Sequence, residues 1–124
     1  MDDMEKMERI VEQTLLYDFY GELLTPHQKM IYEEYVLDNF SISEIAKEHN
    51  ISRQGVHDQI KRVDRLLNEY ESTLHLIDRF MKIKDKVNEI SSYSKQVLSA
   101  DDLDTAKELV GRINSISNAI IDEL

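Results

Sequence analysis

The chain has 124 residues, enough for one domain or for one small domain with an extension. It lacks cysteine, which excludes disulfides, thiolate zinc sites and cysteine nucleophiles. It has neither a charged-then-apolar leader nor a long apolar run, which argues against a signal peptide or membrane span and predicts a cytoplasmic protein without a membrane partner. One proline, three glycines and no hairpin turn signal predict long helices, so the expected fold class is all-α.

The net charge of −10 is distributed unevenly along the chain. Residues 1–42 carry 3 basic and 10 acidic groups, and residues 66–124 carry 7 basic and 11 acidic groups. Residues 43–65 are the exception, with 5 basic and 4 acidic groups. Proteins that bind nucleic acid usually present a basic face, and phosphate attraction supplies most of their non-specific affinity. We therefore expect weak non-specific binding, and useful affinity should require a dimer or a partner complex.

A first helix is predicted from Met4 to about Leu23. Apolar residues recur along it at spacings of three and four, which predicts one buried face. The residues of this face are Met4, Met7, Val11, Leu15, Leu16 and Phe19. The aromatic residues Tyr17, Phe19 and Tyr20 could stack RNA bases, but no basic residues interleave them. We expect them to pack against the next helix.

The second helix has a clear start signal. Thr25 is its expected cap, Pro26 stands in the first turn where its missing N–H costs nothing, and Gln28 completes a capping box. This helix is predicted to run to about Leu37. The residues expected to be buried are Met30, Ile31 and either Tyr35 or Val36.

Residues 40–67 read as two short helices joined by a tight turn, a helix-turn-helix. Ser41 and Glu44 form a second capping box, and Ser52 is the expected cap of the following helix. Asn50 stands at the turn, where a left-handed backbone is usual and Asn is tolerated, and Ile51 is expected to enter the core. The other residues expected to face inward are Ile42, Ile45, Ala46, Val56, Ile60, Val63 and Leu67.

The opposite face of the second helix in this motif carries the candidate DNA-binding residues, because it is the face that a recognition helix presents to the major groove. These residues are Arg53, Gln54, His57, Asp58, Lys61, Arg62 and Arg65. Arg53 and Gln54, near the start of the helix, could reach guanine and adenine edges. Lys61 and the arginines further along would contact phosphates, which positions the protein without specifying sequence.

Two features of this face weaken the DNA interpretation. Asp58 could accept a hydrogen bond from cytosine, yet phosphates would repel it. The basic residues could also simply pair with nearby acids such as Asp58 and Asp64, since Asp58 and Arg62 have the spacing of a helical ion pair.

The helix-turn-helix also carries a family resemblance. The segment from Leu23 to Tyr70 resembles the fourth region of bacterial sigma factors, and the chain is similar to the YlxM family of small bacterial proteins. The closer match is carried by the motifs YDFY at 17–20, LLT at 23–25 and the SRQ-V-D-IKR pattern at 52–62. It is strongest up to Leu76. The resemblance implies an all-helical, sigma-region-4-like protein, encoded near signal recognition particle genes and regulatory or accessory to that pathway.

The C-terminal part is predicted to be a helical extension. The recognition helix should end near residues 70–72, a further helix should run from about Thr73 to Leu98, and Ser99 should cap a last helix over residues 103–124. The apolar residues of the further helix are Leu76, Ile77, Phe80, Met81, Ile83, Val87 and Ile90. Those of the last helix are Leu103, Ala106, Leu109, Val110, Ile113, Ile116, Ile120, Ile121 and Leu124. The two helices can pair as a hairpin or bury their apolar faces against a second copy, which would give a homodimer.

Two domains are therefore expected, a helix-turn-helix domain over residues 1–72 and a C-terminal hairpin or oligomerisation extension over residues 73–124. The histidines show no metal-ligand spacing and no nucleophile or phosphate-loop motif occurs, so we predict no enzyme, no metal and no cofactor. The preferred function is a regulator that reads duplex DNA. The alternative is an adaptor that docks on signal recognition particle protein or RNA, which explains the acidic charge better.

Overall fold

Six α-helices form most of the chain in the computed structural model, which describes residues 2–124. They are α1 (Asp3–Tyr20), α2 (Pro26–Val36), α3 (Ile42–His49), α4 (Arg53–Leu74), α5 (Leu76–Leu98) and α6 (Leu103–Glu123), with a short 3-10 turn (Gly21–Leu23) after α1. No strand occurs in this part of the chain, which confirms the predicted all-α fold. None of the six helices is both long and apolar enough to span a bilayer.

The chain divides into two compact units, of which the first extends to Ile77 and the second is Asp78–Leu124. Helices α1 to α4 build the hydrophobic core of the first unit. Its buried apolar residues are Tyr20, Leu24, Ile31, Tyr32, Val36, Ile45, Ala46, Val56, Ile60, Val63 and Leu67. The four residues from α4 confirm the predicted inner stripe of that helix. Leu16, Tyr17 and Phe19 pack against this core, so the packing interpretation of the aromatic cluster is confirmed.

The predicted starts of α2 and α3 are confirmed by their hydrogen bonds. Thr25 Oγ1 accepts from the Gln28 backbone N–H at 3.2 Å, and the Gln28 side chain accepts from the Thr25 N–H at 3.0 Å. Ser41 and Glu44 form the second reciprocal pair, at 3.1 and 3.4 Å. Each box satisfies two backbone donors that the first turn of a helix leaves without an internal partner.

The predicted buried face of α1 is wrong in its first half and correct at Leu16 and Phe19, which pack against the core. Met4, Met7 and Val11 are 72%, 68% and 62% exposed, whereas Gln13 and Tyr20 are buried. The buried face includes a polar side chain, which is tolerated there because its polar atoms form hydrogen bonds inside the bundle. The Gln13 Nε2 donates to both carboxylate oxygens of Asp64 at 3.1 Å, so burying this amide leaves its donor satisfied.

Several smaller predictions also need correction. Helix α1 ends at Tyr20, and the predicted last turn to Leu23 is the 3-10 turn. Met30 is 42% exposed, whereas Ile31 and Val36 are buried as predicted and Tyr32, which was not predicted, is fully buried. Ile51 is 39% exposed and does not enter the core, because the short segment between α3 and α4 lies at the surface.

Helix α4 is longer than expected, since it continues to Leu74 and α5 begins at Leu76. The break is one residue, His75, whose φ of 55° places it in the left-handed region. The first backbone N–H groups of α5 donate hydrogen bonds to side chains of other helices. Tyr20 Oη accepts from the Leu76 N–H at 3.1 Å, and Glu71 Oε1 accepts from the Ile77 N–H at 2.9 Å.

In the second unit, α5 and α6 form an antiparallel hairpin. Lys86 and Glu123 form an ion pair, and the guanidinium of Arg112 lies 5.6 Å from the centre of the Tyr93 ring. The cap of α6 is Asp102 and not the predicted Ser99, because the Asp102 carboxylate accepts from the Thr105 N–H at 2.9 Å. The same hydrogen bonds lower the pKa of Asp102, since they stabilise its charged form.

Candidate nucleic-acid interface

The turn between α3 and α4 has the geometry that the sequence predicts. Asn50 has φ 54° and ψ 46°, the left-handed conformation, and terminates α3. The backbone N–H of Ile51 then returns to the Ala46 carbonyl at 3.0 Å. Ser52 Oγ accepts from the Gly55 N–H at 2.9 Å and starts α4. Two helices with buried residues on both sides of so short a connection form a helix-turn-helix.

The candidate DNA-binding residues are spread over about half of the circumference of α4. Arg53, Gln54, Asp58, Lys61, Arg62 and Arg65 are exposed, and His57 is partly buried. Most of them lie away from the buried stripe of the same helix, whereas Arg53 borders it. We call these seven residues the α4 face. Its charged members are four permanent cations and one carboxylate, which makes it basic within an acidic protein.

The cations of the α4 face have no carboxylate partner among residues 2–124. The pairing that their spacing allowed between Asp58 and Arg62 is absent, and Asp58 instead accepts a hydrogen bond from the Gln54 Nε2 at 2.9 Å. Asp64 points to other partners, namely Gln13, Tyr32 and Arg9. The guanidinium and ammonium groups of this face are therefore available to an anionic ligand.

Asp64 anchors α4 to the bundle from a position on the helix surface between Arg53 and His57, at the border of the α4 face. Tyr32 Oη and Gln13 Nε2 donate to its carboxylate, and Arg9 lies 3.7 Å away. Burial, reinforced by the hydrogen bond to Asp64, raises the pKa of Tyr32 well above its usual value. Tyr32 therefore stays protonated, and the hydrogen bond from its hydroxyl to Asp64 holds α4 in position relative to α2.

A second contact fixes the end of α3 against α2. His49 Nε2 lies 2.8 Å from Glu34 Oε2, and both side chains are largely buried. Together with the exposed Glu48 these residues bring three potential metal-ligating atoms within 4.8 Å of one another. Glu34 and His49 already satisfy each other, so we assign this cluster a structural role beside the turn.

The residues that position the interface were the ones that sequence reasoning missed. Neither Gln13 nor Tyr32 was among the expected core residues, and Asp64 was considered only as an ion-pair partner on the surface. Their partners stand 32 and 51 residues apart in the chain, so no local pattern indicated the contacts. The only available signal was the placement of Asp64 directly beside the buried Val63 of α4.

Comparison with known proteins agrees with this geometry. Residues 7–109, which include the whole helix-turn-helix, match the model of the UPF0122 family, described as "Putative helix-turn-helix protein, YlxM / p13 like". The chain belongs to this family. The resemblance to the YlxM family that the motifs indicated is thereby confirmed.

Individual relatives in the UPF0122 family cover most of the chain. A UPF0122 protein of Geobacillus sp. (strain WCH70) is 41% identical over 105 residues, which span 83% of this chain and 96% of that protein. The UPF0122 protein YlxM of Bacillus subtilis (strain 168) is 42% identical over 93 residues, spanning 73% and 84% of the two chains. A UPF0122 protein of Acetivibrio thermocellus is 39% identical over 114 residues, spanning 89% and 97%.

Proposed function

We propose that this protein is a regulator that binds duplex DNA with the N-terminal half of α4 in the major groove. The observation that supports the proposal best is the α4 face, where Arg53, Lys61, Arg62 and Arg65 are exposed and unpaired with any described carboxylate. They lie exposed on a helix whose inner stripe packs in the core of the bundle.

The position of each residue along α4 suggests its role. Arg53 stands at the first position of the helix, and its planar guanidinium matches the two acceptors of guanine. Gln54 donates to Asp58, so this pair would offer mainly acceptors to a base amino group. Lys61, further along the helix, would contact phosphates and would contribute affinity without sequence preference.

The charge of the remaining chain limits how this binding can work. Repulsion between phosphates and the acidic segments on either side of the motif should keep non-specific affinity low. Two copies acting on two half-sites would double the number of phosphate and base contacts. The homodimer expected from the C-terminal helices is therefore part of the proposal.

A salt-dependent titration tests the proposal. The full-length protein is titrated with the duplex upstream of its own gene and with a scrambled duplex of equal length. An Arg53→Ala/Lys61→Ala double variant should lose the preference for the native duplex and should show a salt dependence lowered by about one phosphate contact. Its matched control is Lys82→Ala/Arg112→Ala, which removes the same charge from cations already paired with Asp78 and Glu108. Failure of the native protein to bind either duplex at low salt would contradict a DNA-reading function.

A second candidate function is supported by the net charge of −10. An acidic helical bundle suits a protein or ribonucleoprotein partner better than it suits a bare phosphate backbone. In this reading the protein is an adaptor that docks on signal recognition particle protein or RNA, the partner implied by the family resemblance. Binding to that particle's purified protein or RNA, retained in the Arg53→Ala/Lys61→Ala variant, would favour it over DNA reading.

A further inference from the structure

Helix α1 has a large apolar surface on the side turned away from the core. Met4, Met7 and Val11 are 72%, 68% and 62% exposed, and they occupy the side of α1 opposite Gln13 and Tyr20. With Glu8 and Glu12 the three apolar residues line a surface depression of about 510 Å³. We call Met4, Met7, Glu8, Val11 and Glu12 the α1 face. Exposed apolar groups that cluster within an acidic rim are typical of an interaction surface.

The charges of α1 are segregated around the helix. The basic residues Lys6 and Arg9 lie on another side, where they line a cavity with Gln13 and Tyr35, and Arg9 approaches Asp64. The α1 face therefore carries acidic groups without a basic one. A surface that complements it should be apolar with a basic rim.

The hairpin of the second unit has an apolar surface of that kind. Ile83 and Ile90 of α5 are partly buried along its seam with α6, where Leu109 is buried. Each helix carries further apolar residues about a quarter of a turn around its axis from the seam, in the same direction of rotation. Because the two helices are antiparallel, this rotation brings both sets of residues to the same side of the hairpin. These residues, 50% to 87% exposed, are Val87, Leu98, Leu103, Val110 and Ile121.

Lysines border this apolar surface. Lys84, Lys95 and Lys107 follow the apolar residues around α5 and α6, and none of the described carboxylates pairs with them. Three other cations of the hairpin are paired. Lys82, Lys86 and Arg112 are bound to Asp78, Glu123 and Glu108, which are on the other side or along the seam. We call the five exposed apolar residues and the three bordering lysines the hairpin face.

We propose that the α1 face of one copy docks on the hairpin face of a second copy, and that the exchange is reciprocal and gives a two-fold symmetric dimer. The contact joins apolar to apolar surface and brings Glu8 and Glu12 against lysines. Pairing two hairpin faces would oppose lysine to lysine, and pairing two α1 faces would oppose glutamate to glutamate. A dimer formed through the C-terminal helices was already expected, and this proposal adds that those helices contact the α1 face of the partner copy. The proposal does not depend on DNA binding.

Charge reversal on the full-length protein tests the proposal. The mass in solution is measured by analytical ultracentrifugation over a wide concentration range, and folding of each variant is checked by circular dichroism. The native protein should be dimeric. Glu8→Lys/Glu12→Lys and Lys84→Glu/Lys107→Glu should each raise the dimer dissociation constant at least tenfold. A control with Glu69→Lys and Lys82→Glu, which changes exposed charges outside both faces, should dimerise like the native protein.

Mixing the two reversed variants provides the decisive measurement. In the mixture each basic α1 face meets an acidic hairpin face and each acidic α1 face meets a basic hairpin face, so a heterodimer should form although neither variant dimerises alone. This restoration also excludes misfolding as the cause of the loss. A native protein that stays monomeric, a dimer that withstands the α1 reversal, or a mixture that remains monomeric would each overturn the proposal.

Discussion

The hydroxyl of Tyr32 on α2 donates a hydrogen bond to the carboxylate of Asp64 on α4. The tyrosine is fully buried and the aspartate is largely so. Gln13 of α1 donates to the same carboxylate, so one side chain of α4 joins three helices. This contact sets the orientation of α4 relative to α1 and α2, and it engages none of the seven residues of the α4 face.

Loss of this junction should destabilise the first unit. Tyr32→Phe removes one hydrogen bond to a charged group and should lower the free energy of unfolding by about 1–3 kcal/mol. Asp64→Ala should cost more, since it leaves both the Tyr32 hydroxyl and the Gln13 amide without a partner. Urea denaturation measures both changes. Asp58→Ala, on the exposed side of α4, is the control and should shift stability by less than about 0.5 kcal/mol; an equal loss in this variant would refute the anchoring role of Asp64.

Stability should fall in alkaline solution. Burial, aided by hydrogen bonds to carboxylates, raises the pKa of Tyr17, Tyr20 and Tyr32 above the ordinary value of 10.0. Above pH 10 the unfolded chain loses these protons while the folded protein keeps them, so the free energy of unfolding decreases as pH rises. The limit is about 1.4 kcal/mol per pH unit for each tyrosine. Urea midpoints from neutral to alkaline pH measure the decline, and a Tyr17→Phe/Tyr32→Phe variant should show a shallower one.

The left-handed turn at Asn50 predicts a contrast between two substitutions. Asn50→Gly should be nearly neutral, because glycine adopts a positive φ without steric cost. Asn50→Ala should lower the free energy of unfolding by about 1 kcal/mol, because a Cβ without a compensating polar group disfavours that conformation. Thermal unfolding of both variants, beside the exposed helix substitution Glu48→Ala, tests this. Equal losses for glycine and alanine would show that the Asn side chain matters more than its backbone.

Two glycines should respond oppositely to alanine. A Cβ at Gly21 would lie 2.8 Å from a carbon of the Tyr17 ring, and that ring is held by a hydrogen bond to Glu33, so Gly21→Ala should destabilise the first unit by about 1–3 kcal/mol. A Cβ at Gly111 would meet nothing within 4 Å, so Gly111→Ala should stabilise α6 by about 0.5–1 kcal/mol. Thermal melts followed by circular dichroism compare the two, and a destabilised Gly111→Ala protein would contradict the open surroundings of that position.

The predictable parts of the fold are those with local causes. Ser41 with Glu44 forms a capping box within four residues, and the stripe from Val56 to Leu67 follows from helical periodicity alone. The buried face of α1 was mispredicted at Met4, Met7 and Val11, because exposed apolar residues there have the same periodicity as a buried stripe. The buried polar residue of α1 is Gln13, and its side-chain amide donates a hydrogen bond to Asp64, which is 51 positions away in the chain.

The same distinction applies to the candidate site. Periodicity was sufficient to place Lys61, Arg62 and Arg65 on one exposed side of α4. It did not decide whether they are paired, because Asp58 has equally good helical spacing to Arg62 and to Gln54, and the structure resolves that competition in favour of Gln54. An amide partner leaves the arginine charge uncompensated, and no pattern in the sequence distinguishes the two outcomes.

The division of α4 into an anchored side and an exposed side has a consequence for how this protein can diverge. Val56, Ile60, Val63 and Asp64 hold the helix, whereas the side chains of the α4 face contribute little to its packing. Substitutions can therefore accumulate on that face while the fold stays constant, and a lineage could change its ligand within a few mutations. For engineering, the same separation makes the exposed positions of α4 a suitable place for a randomised library on an unaltered scaffold.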